Sequence, residues 1–343
     1  MLVHDEEPFN AEPPRGALAE SDLTATDRFY VRNHGPVPAW GGCLRLDGLV
    51  DTPREFSLDE LRALPRAQVI ATLQCAGNRR AGMMALREIP GEAPWGPGAT
   101  GTAAWTGASL AELLGLAGVR DGAAHVAFVG ADVSSETSPP EPFAGSIPLA
   151  KALSPEVLLA FEMNGSPLPA VHGGPVRVVV PGYIGARSVK WVRRVEVRAE
   201  PCDGYFQDVA YRLLAEDEEP GPGRGFPLGE VALNADVLSP DDGAAVAARE
   251  LEVVGYAYAG GGRSVVRVDV AVDGAWTRAS LLDDLGCWAW RRWRARVGLS
   301  PGSHEIAVRA WDSAGVVQCA EPVWNPGGYI NNSWGRVRVQ ALR

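Results

Sequence analysis

Hydrophobic and polar residues alternate in short runs along most of this chain, broken by glycine and proline, which predicts strands and turns with few long helices. FYVRNHGPVPAW at 29–40 carries a glycine and two prolines and reads as a strand end entering a loop. SLDELRALP at 57–65 predicts a helix that Ser57 caps, with Glu60 three positions on as in a capping box and Pro65 closing it. VIATLQC at 69–75 is a β-branched run, and CAGNRR turns away from it, so Cys75 is expected at the mouth of a strand. TGASLAELLGLAGV at 106–119 predicts a second capped helix, and HVAFVGAD at 125–132 a buried strand. VRVVV at 176–180 and RSVKWVRRVEVR at 187–198 alternate as strands do, on either side of a PGYIGA glycine turn. The first part of the chain is therefore expected to be α+β.

LAEDEEPGPGRGF at 214–226 combines a charge run with proline and glycine and has little means of forming a core. It marks a boundary, giving an expected catalytic domain at 1–213, a linker at 214–228 and a second domain at 229–343. Beyond it LEVVGYAYA, SVVRVDVAVDG, WAWRRW, HEIAVRAWD and VRVQAL form short alternating strands with turns between them, the pattern of an immunoglobulin-like β-sandwich. A length of 343 residues suits two cores. The composition, 46% hydrophobic and 22% charged, is that of a folded chain. A net charge of −10 argues against a nucleic-acid partner, although a few arginines converging in a cleft can still attract a small anion. No apolar run approaches the roughly 20 residues of a membrane span, and the acidic, proline-rich start lacks the features of an export signal, so no membrane partner and a cytoplasmic location are expected, or a periplasmic one if a signal has been removed.

Five cysteines without a CxxC pair fit neither a disulfide framework nor a zinc ribbon. Cys75 stands out because a thiolate suits a soft or redox-active metal, and Arg79 and Arg80 beside it favour the thiolate. Gly77 allows backbone amides to approach a ligand, and Asn78 adds a donor and an acceptor. By chemistry alone, the commoner reading of such a cysteine is a small buried hydrophobe.

TLQCAGNRR resembles the segment that carries the metal-binding cysteine of sulfite oxidases and of the molybdenum domain of eukaryotic nitrate reductases. Further matches follow in order: FYVRNHGPVP, PW at 94–95, GTAAWTGASLAELL, GSIPLAKAL, FEMNGSPLPAVHGGPVRVVVPGYIGARSVKW, GYAYAGGGRSVVRVDVAVDG, WAWRRW and VWNPGGYINNSW. The resemblance implies an α+β molybdopterin-binding domain followed by an immunoglobulin-like dimerisation domain, hence a homodimer. It implies molybdenum held by one molybdopterin, with Cys75 as the only protein ligand. Cofactor contacts would fall on Tyr30, Arg32, Asn33, His34, Asp132, His172, Arg177, Ser188, Val189 and Lys190; Ser188 stands where relatives often carry histidine. The substrate pocket would draw on Arg32, Arg80, Trp95, Tyr211 and, from the second domain, Arg291. Three arginines suit a small oxyanion, and the implied reaction is oxidation of sulfite to sulfate. Neither haem nor flavin is expected in this chain, so electrons would pass to an external acceptor such as a cytochrome c or oxygen. Nitrate reduction is the nearest alternative, weighed against because nitrate reductases resemble CWCFW where Arg291 stands here. Sulfoxide reduction and a metal-free dimeric binding module are the others.

Overall fold

The computed structural model describes residues 1–343. Strands dominate, and the longest helix, Leu110–Ala117, has eight residues. No helix is long and apolar enough to cross a membrane.

The first domain is built on two five-stranded sheets. In one, Arg66–Gln74 pairs antiparallel with Thr100–Ser109, which pairs with Leu158–Met163, and that strand also pairs with Ser166–Pro167 and Arg177–Val179. In the other the order is Arg54–Ser57, Cys43–Gly48, Val192–Arg198, His125–Ser134, Glu141–Pro148, with only the Cys43–Gly48 and Val192–Arg198 pair parallel. The helix at Leu58–Ala63 carries the expected capping box: Ser57 Oγ accepts from Glu60 N at 3.2 Å, and the Glu60 carboxylate accepts from Ser57 N at 2.8 Å.

Two expectations are corrected. Residues 106–109 continue the strand Thr100–Ser109, and the following helix has no side-chain cap. The register explains this, because Ala108 faces Leu159 across the sheet and a Cβ at Gly107 would lie 2.1 Å from Leu159 O, so two strands meet where a first helical turn was expected. Likewise the strand expected from 187 begins at Val192. Trp191 takes a left-handed φ of 48°, and Ser188 and Val189 instead pair with the 177–180 segment, Val178 N donating to Val189 O at 2.8 Å and Val180 N to Ser188 Oγ at 3.0 Å.

Residues 214–228 are more ordered than their composition suggests. Phe226–Pro227 pairs with Arg212–Leu213, and buried Arg187 donates twice to Leu228 O at 3.1 and 2.8 Å, while Leu214 and Leu228 are buried. The second domain is a sandwich of a four-stranded and a five-stranded sheet. Its own core includes Val237, Val268, Val270, Trp293, Ile306, Val308 and Val337. Tyr256, Tyr258 and Trp290 of the four-stranded sheet side join the core of the first domain instead, so the two domains share an apolar interface.

Candidate functional site

The turn after the strand Arg66–Gln74 is assembled by both domains. Cys75 N donates to Ala99 O and Asn78 N donates to Cys75 O, which closes the turn. Arg79 sits in the left-handed region (φ 65°) and its buried guanidinium pairs with Asp236 at 2.8 Å while donating to Ser333 O and Trp334 O, both at 2.8 Å. Asn78 donates to Tyr256 Oη, Asn331 donates to Arg79 O, and Ile330 N donates to Ala76 O. Folding of the second domain therefore fixes the loop that holds Cys75.

Cys75 lies on the wall of a cleft of about 650 Å³. Tyr30, Arg32, Asn33, His34, Asp132, His172, Arg177, Ser188, Val189, Lys190 and Tyr211 line the same cleft, so every expected cofactor contact and two of the five expected substrate residues converge there. Burial raises the Cys75 thiol above its ordinary value, while Arg80 and Arg32 pull it down. Binding a metal would remove that proton and supply the charge partner that the buried sulfur lacks.

The other three expected residues do not line the cleft. Trp95 is fully buried behind the cysteine turn, its ring edge-on to His4. Arg80 is buried beside the turn, where Nη1 pairs with Glu92 at 2.8 Å, Nε donates to Gly327 O, and the guanidinium stacks on Tyr329. A Cβ at Gly77 would lie 2.6 Å from Arg80 Cζ, so only glycine leaves this cation its place. Arg291 is remote: its guanidinium pairs with Asp284 at 2.7 Å, and it borders a separate hollow with Arg263 and Cys287. The contrast with CWCFW at that position therefore says nothing about the cleft. The second domain instead reaches the site through Tyr329, which stacks on Tyr211 with ring centroids 5.6 Å apart. Tyr329, Glu92 and Glu136 escaped the sequence reading. The only signal for Tyr329 was its place inside VWNPGGYINNSW, and Glu92 and Glu136 sit in loops without a distinguishing pattern.

The cleft fits a bound anionic heterocycle on its own chemistry. Arg177 is buried, yet it donates only to backbone carbonyls, those of His172, Val178 and Ser188, and burial lowers it to about 10. Lys190 is half-buried and donates to Asn33 Oδ1 and Val171 O; desolvation and the neighbouring Arg177 push it well down. Neither cation has a paired carboxylate, and together they suit an anion such as a phosphate. Asp132 Oδ1 is buried without a partner, and burial raises this carboxyl to about 6, so an N–H donor of a pterin ring would satisfy it. No group of three or more His, Cys, Asp or Glu residues is placed to hold a metal unaided.

Residues 34–206 match the family model described as oxidoreductase molybdopterin binding domain, and residues 227–342 the one described as Mo-co oxidoreductase dimerisation domain. The chain is 44% identical over 357 residues to a sulfite oxidase of Gallus gallus, covering 98% of this chain and 77% of that protein. It is 40% identical over 376 residues to a sulfite oxidase of Arabidopsis thaliana, covering 99% and 94% of the two. Its structure is similar to that of the sulfane dehydrogenase SoxCD from Paracoccus pantotrophus, with a TM-score of 0.84 at 27% identity over 99% of this chain and 86% of that one. The fold, the cysteine-centred cleft and identity along nearly its whole length agree: the chain belongs to the sulfite oxidase family of molybdopterin-binding oxidoreductases.

Proposed function

We propose that this enzyme oxidises sulfite to sulfate, with water as the oxygen source and two electrons passed to an external acceptor such as a cytochrome c or oxygen. The observation that carries the reading is the convergence of Cys75, Arg32 and Tyr211 on one cleft that also holds Arg177 and Lys190, cations without a carboxylate partner. Cys75 would ligate molybdenum; Arg177, Lys190 and the backbone around Ser188 and Val189 would hold the anionic tail of the pterin cofactor; Asp132 would accept from its ring. When bound, that cofactor supplies oxygen-atom transfer and takes up the electron pair.

The chain's own residues bind and orient the anion. Arg32 lines the cleft and offers a fixed, always-charged donor set that suits an oxyanion. Tyr211 shares the wall, and burial in the protein raises its hydroxyl so that it stays protonated. Arg80 adds positive potential from behind the turn. The apolar rings of Phe29, Phe143 and Tyr30 exclude water and strengthen these charges. Two copies would associate through the second domain.

Molybdenum analysis of protein made in a cofactor-competent host, followed by turnover with sulfite and ferricyanide, tests the reading. About one molybdenum per chain and sulfite-dependent reduction are expected. Loaded protein that ignores sulfite but oxidises reduced viologen with nitrate would instead assign nitrate reduction, and protein that takes up no molybdenum would be a binding module.

A further inference from the structure

One chain of hydrogen bonds leads out of the cleft. His34 Nε2 lies 2.7 Å from Tyr211 Oη, and His34 Nδ1 lies 2.6 Å from Glu136 Oε1. Tyr211 and His34 are buried, whereas the Glu136 side chain is 41% exposed, so three groups connect the buried wall of the cleft to solvent. The shorter of the two contacts at Nδ1, to Glu136, assigns the tautomer. A carboxylate only accepts, so His34 Nδ1 carries the hydrogen and Nε2 accepts from the tyrosine hydroxyl.

The environment holds that arrangement. The imidazole stacks on Phe143 (centroids 5.2 Å apart, 21° between planes) and packs against Phe206 at 4.5 Å, an apolar collar that keeps water from bypassing it. Phe206 opens a π-helical turn, Phe206–Ala210, that ends where Tyr211 begins, so one irregular element places both the collar and the hydroxyl. Burial depresses His34 to about 4, Arg32 and Lys190 pushing the same way and Glu136 opposing them. The ring is therefore neutral at pH 7 and holds one transferable N–H. Arg32 Nη2 stands 3.1 Å from Nδ1, but two donors facing each other make no bond there.

We propose that Tyr211, His34 and Glu136 form a proton exit for the oxidation, with Glu136 as its terminal acceptor. This rests on the sulfite reading above. Sulfite plus water gives sulfate, two electrons and two protons. The electrons leave to the acceptor, and each proton needs a route out of a buried cleft. A proton reaching Tyr211 Oη displaces the hydroxyl proton to His34 Nε2, the Nδ1 proton passes to the Glu136 carboxylate, and Glu136 releases it to water. Glu136 touches no reacting atom and acts as a positioning and relay residue.

The test uses the molybdenum-loaded enzyme and the Glu136→Gln and Glu136→Asp variants. The relay predicts that Glu136→Gln lowers kcat for sulfite about tenfold, raises the solvent deuterium isotope effect and leaves molybdenum content unchanged, and that Glu136→Asp restores most of the rate. In cofactor-free protein, ¹⁵N NMR should find His34 as the Nδ1–H tautomer, shifting toward Nε2–H in Glu136→Gln. Unchanged kcat and isotope effect in Glu136→Gln, or an Nε2–H tautomer in the parent, overturns the relay. A loaded parent that turns over no sulfite overturns the oxidation reading itself, which keeps the two failures distinct.

Discussion

Glu92 pairs with the guanidinium of Arg80 beside the cysteine turn, with only 2.8 Å between them, and its side chain is 29% exposed. An incoming oxyanion must compete with that carboxylate for the positive potential of Arg80. Replacing Glu92 with Gln removes the competitor, and a partly exposed charge contact of this kind is worth about 1 kcal/mol. KM for sulfite should fall roughly fivefold with molybdenum content unchanged; steady-state kinetics check it, and a raised KM would show that Glu92 is needed to position Arg80. The buried histidines predict a pH dependence. His34 and His172 are both depressed to about 4, chiefly by burial. An unfolded chain protonates them near 6.5, so below that pH the unfolded state binds more protons and stability falls as pH falls toward 4. Asp132, raised to about 6 by burial, works in the opposite sense between about 6 and 4. Two histidines outweigh one carboxyl, so the Tm of cofactor-free protein should drop from pH 7 to pH 5. His172→Gln should flatten that slope in a thermal scan, and a slope of the opposite sign would mean that these rings are charged in the fold.

At the scale of elements, the cysteine turn depends on its clamp more than on its own sequence. Arg79 binds Asp236 and two carbonyls of the second domain. Arg79→Met leaves Asp236 with Arg15, at 3.4 Å, as its one cationic partner, and breaking a buried pair from one side costs about 3 kcal/mol. Denaturant unfolding should show that loss together with reduced molybdenum uptake. Arg291→Met serves as the contrast: its guanidinium meets Asp284 away from the cleft, so sulfite kinetics should stay within about twofold of the parent, a change of no more than ~0.4 kcal/mol. What the sequence made legible follows local rules. The Ser57 capping box, the strand that ends at Cys75 and the alternating strands of the second domain each follow from neighbours a few residues apart. Where sequence and structure part company, distant contacts decide. Thr106–Ser109 became strand because Leu158–Leu159 pairs with it, and the 214–228 segment is pinned by Arg187, 41 residues from Leu228. Arg291 looked like a pocket residue only because it sits inside a matched motif, while Tyr329 in another motif reaches the site through a loop between strands.

For the whole molecule, the two domains act as one scaffold. The first supplies the cleft and most of its lining; the second locks the Cys75 turn through Asp236, Asn331, Ser333 and Trp334 and adds Tyr329 to the site's edge. A net charge of −10 over the chain sits beside a cleft that concentrates Arg32, Arg177 and Lys190, so attraction of a small anion is a local property of the cleft rather than of the surface. The central claim is that the sulfur of Cys75 binds molybdenum in that cleft. X-ray absorption at the molybdenum edge, on the parent and on Cys75→Ser, tests it most directly. One fewer sulfur neighbour around the metal in the variant is the predicted result; identical sulfur coordination in both proteins would contradict it.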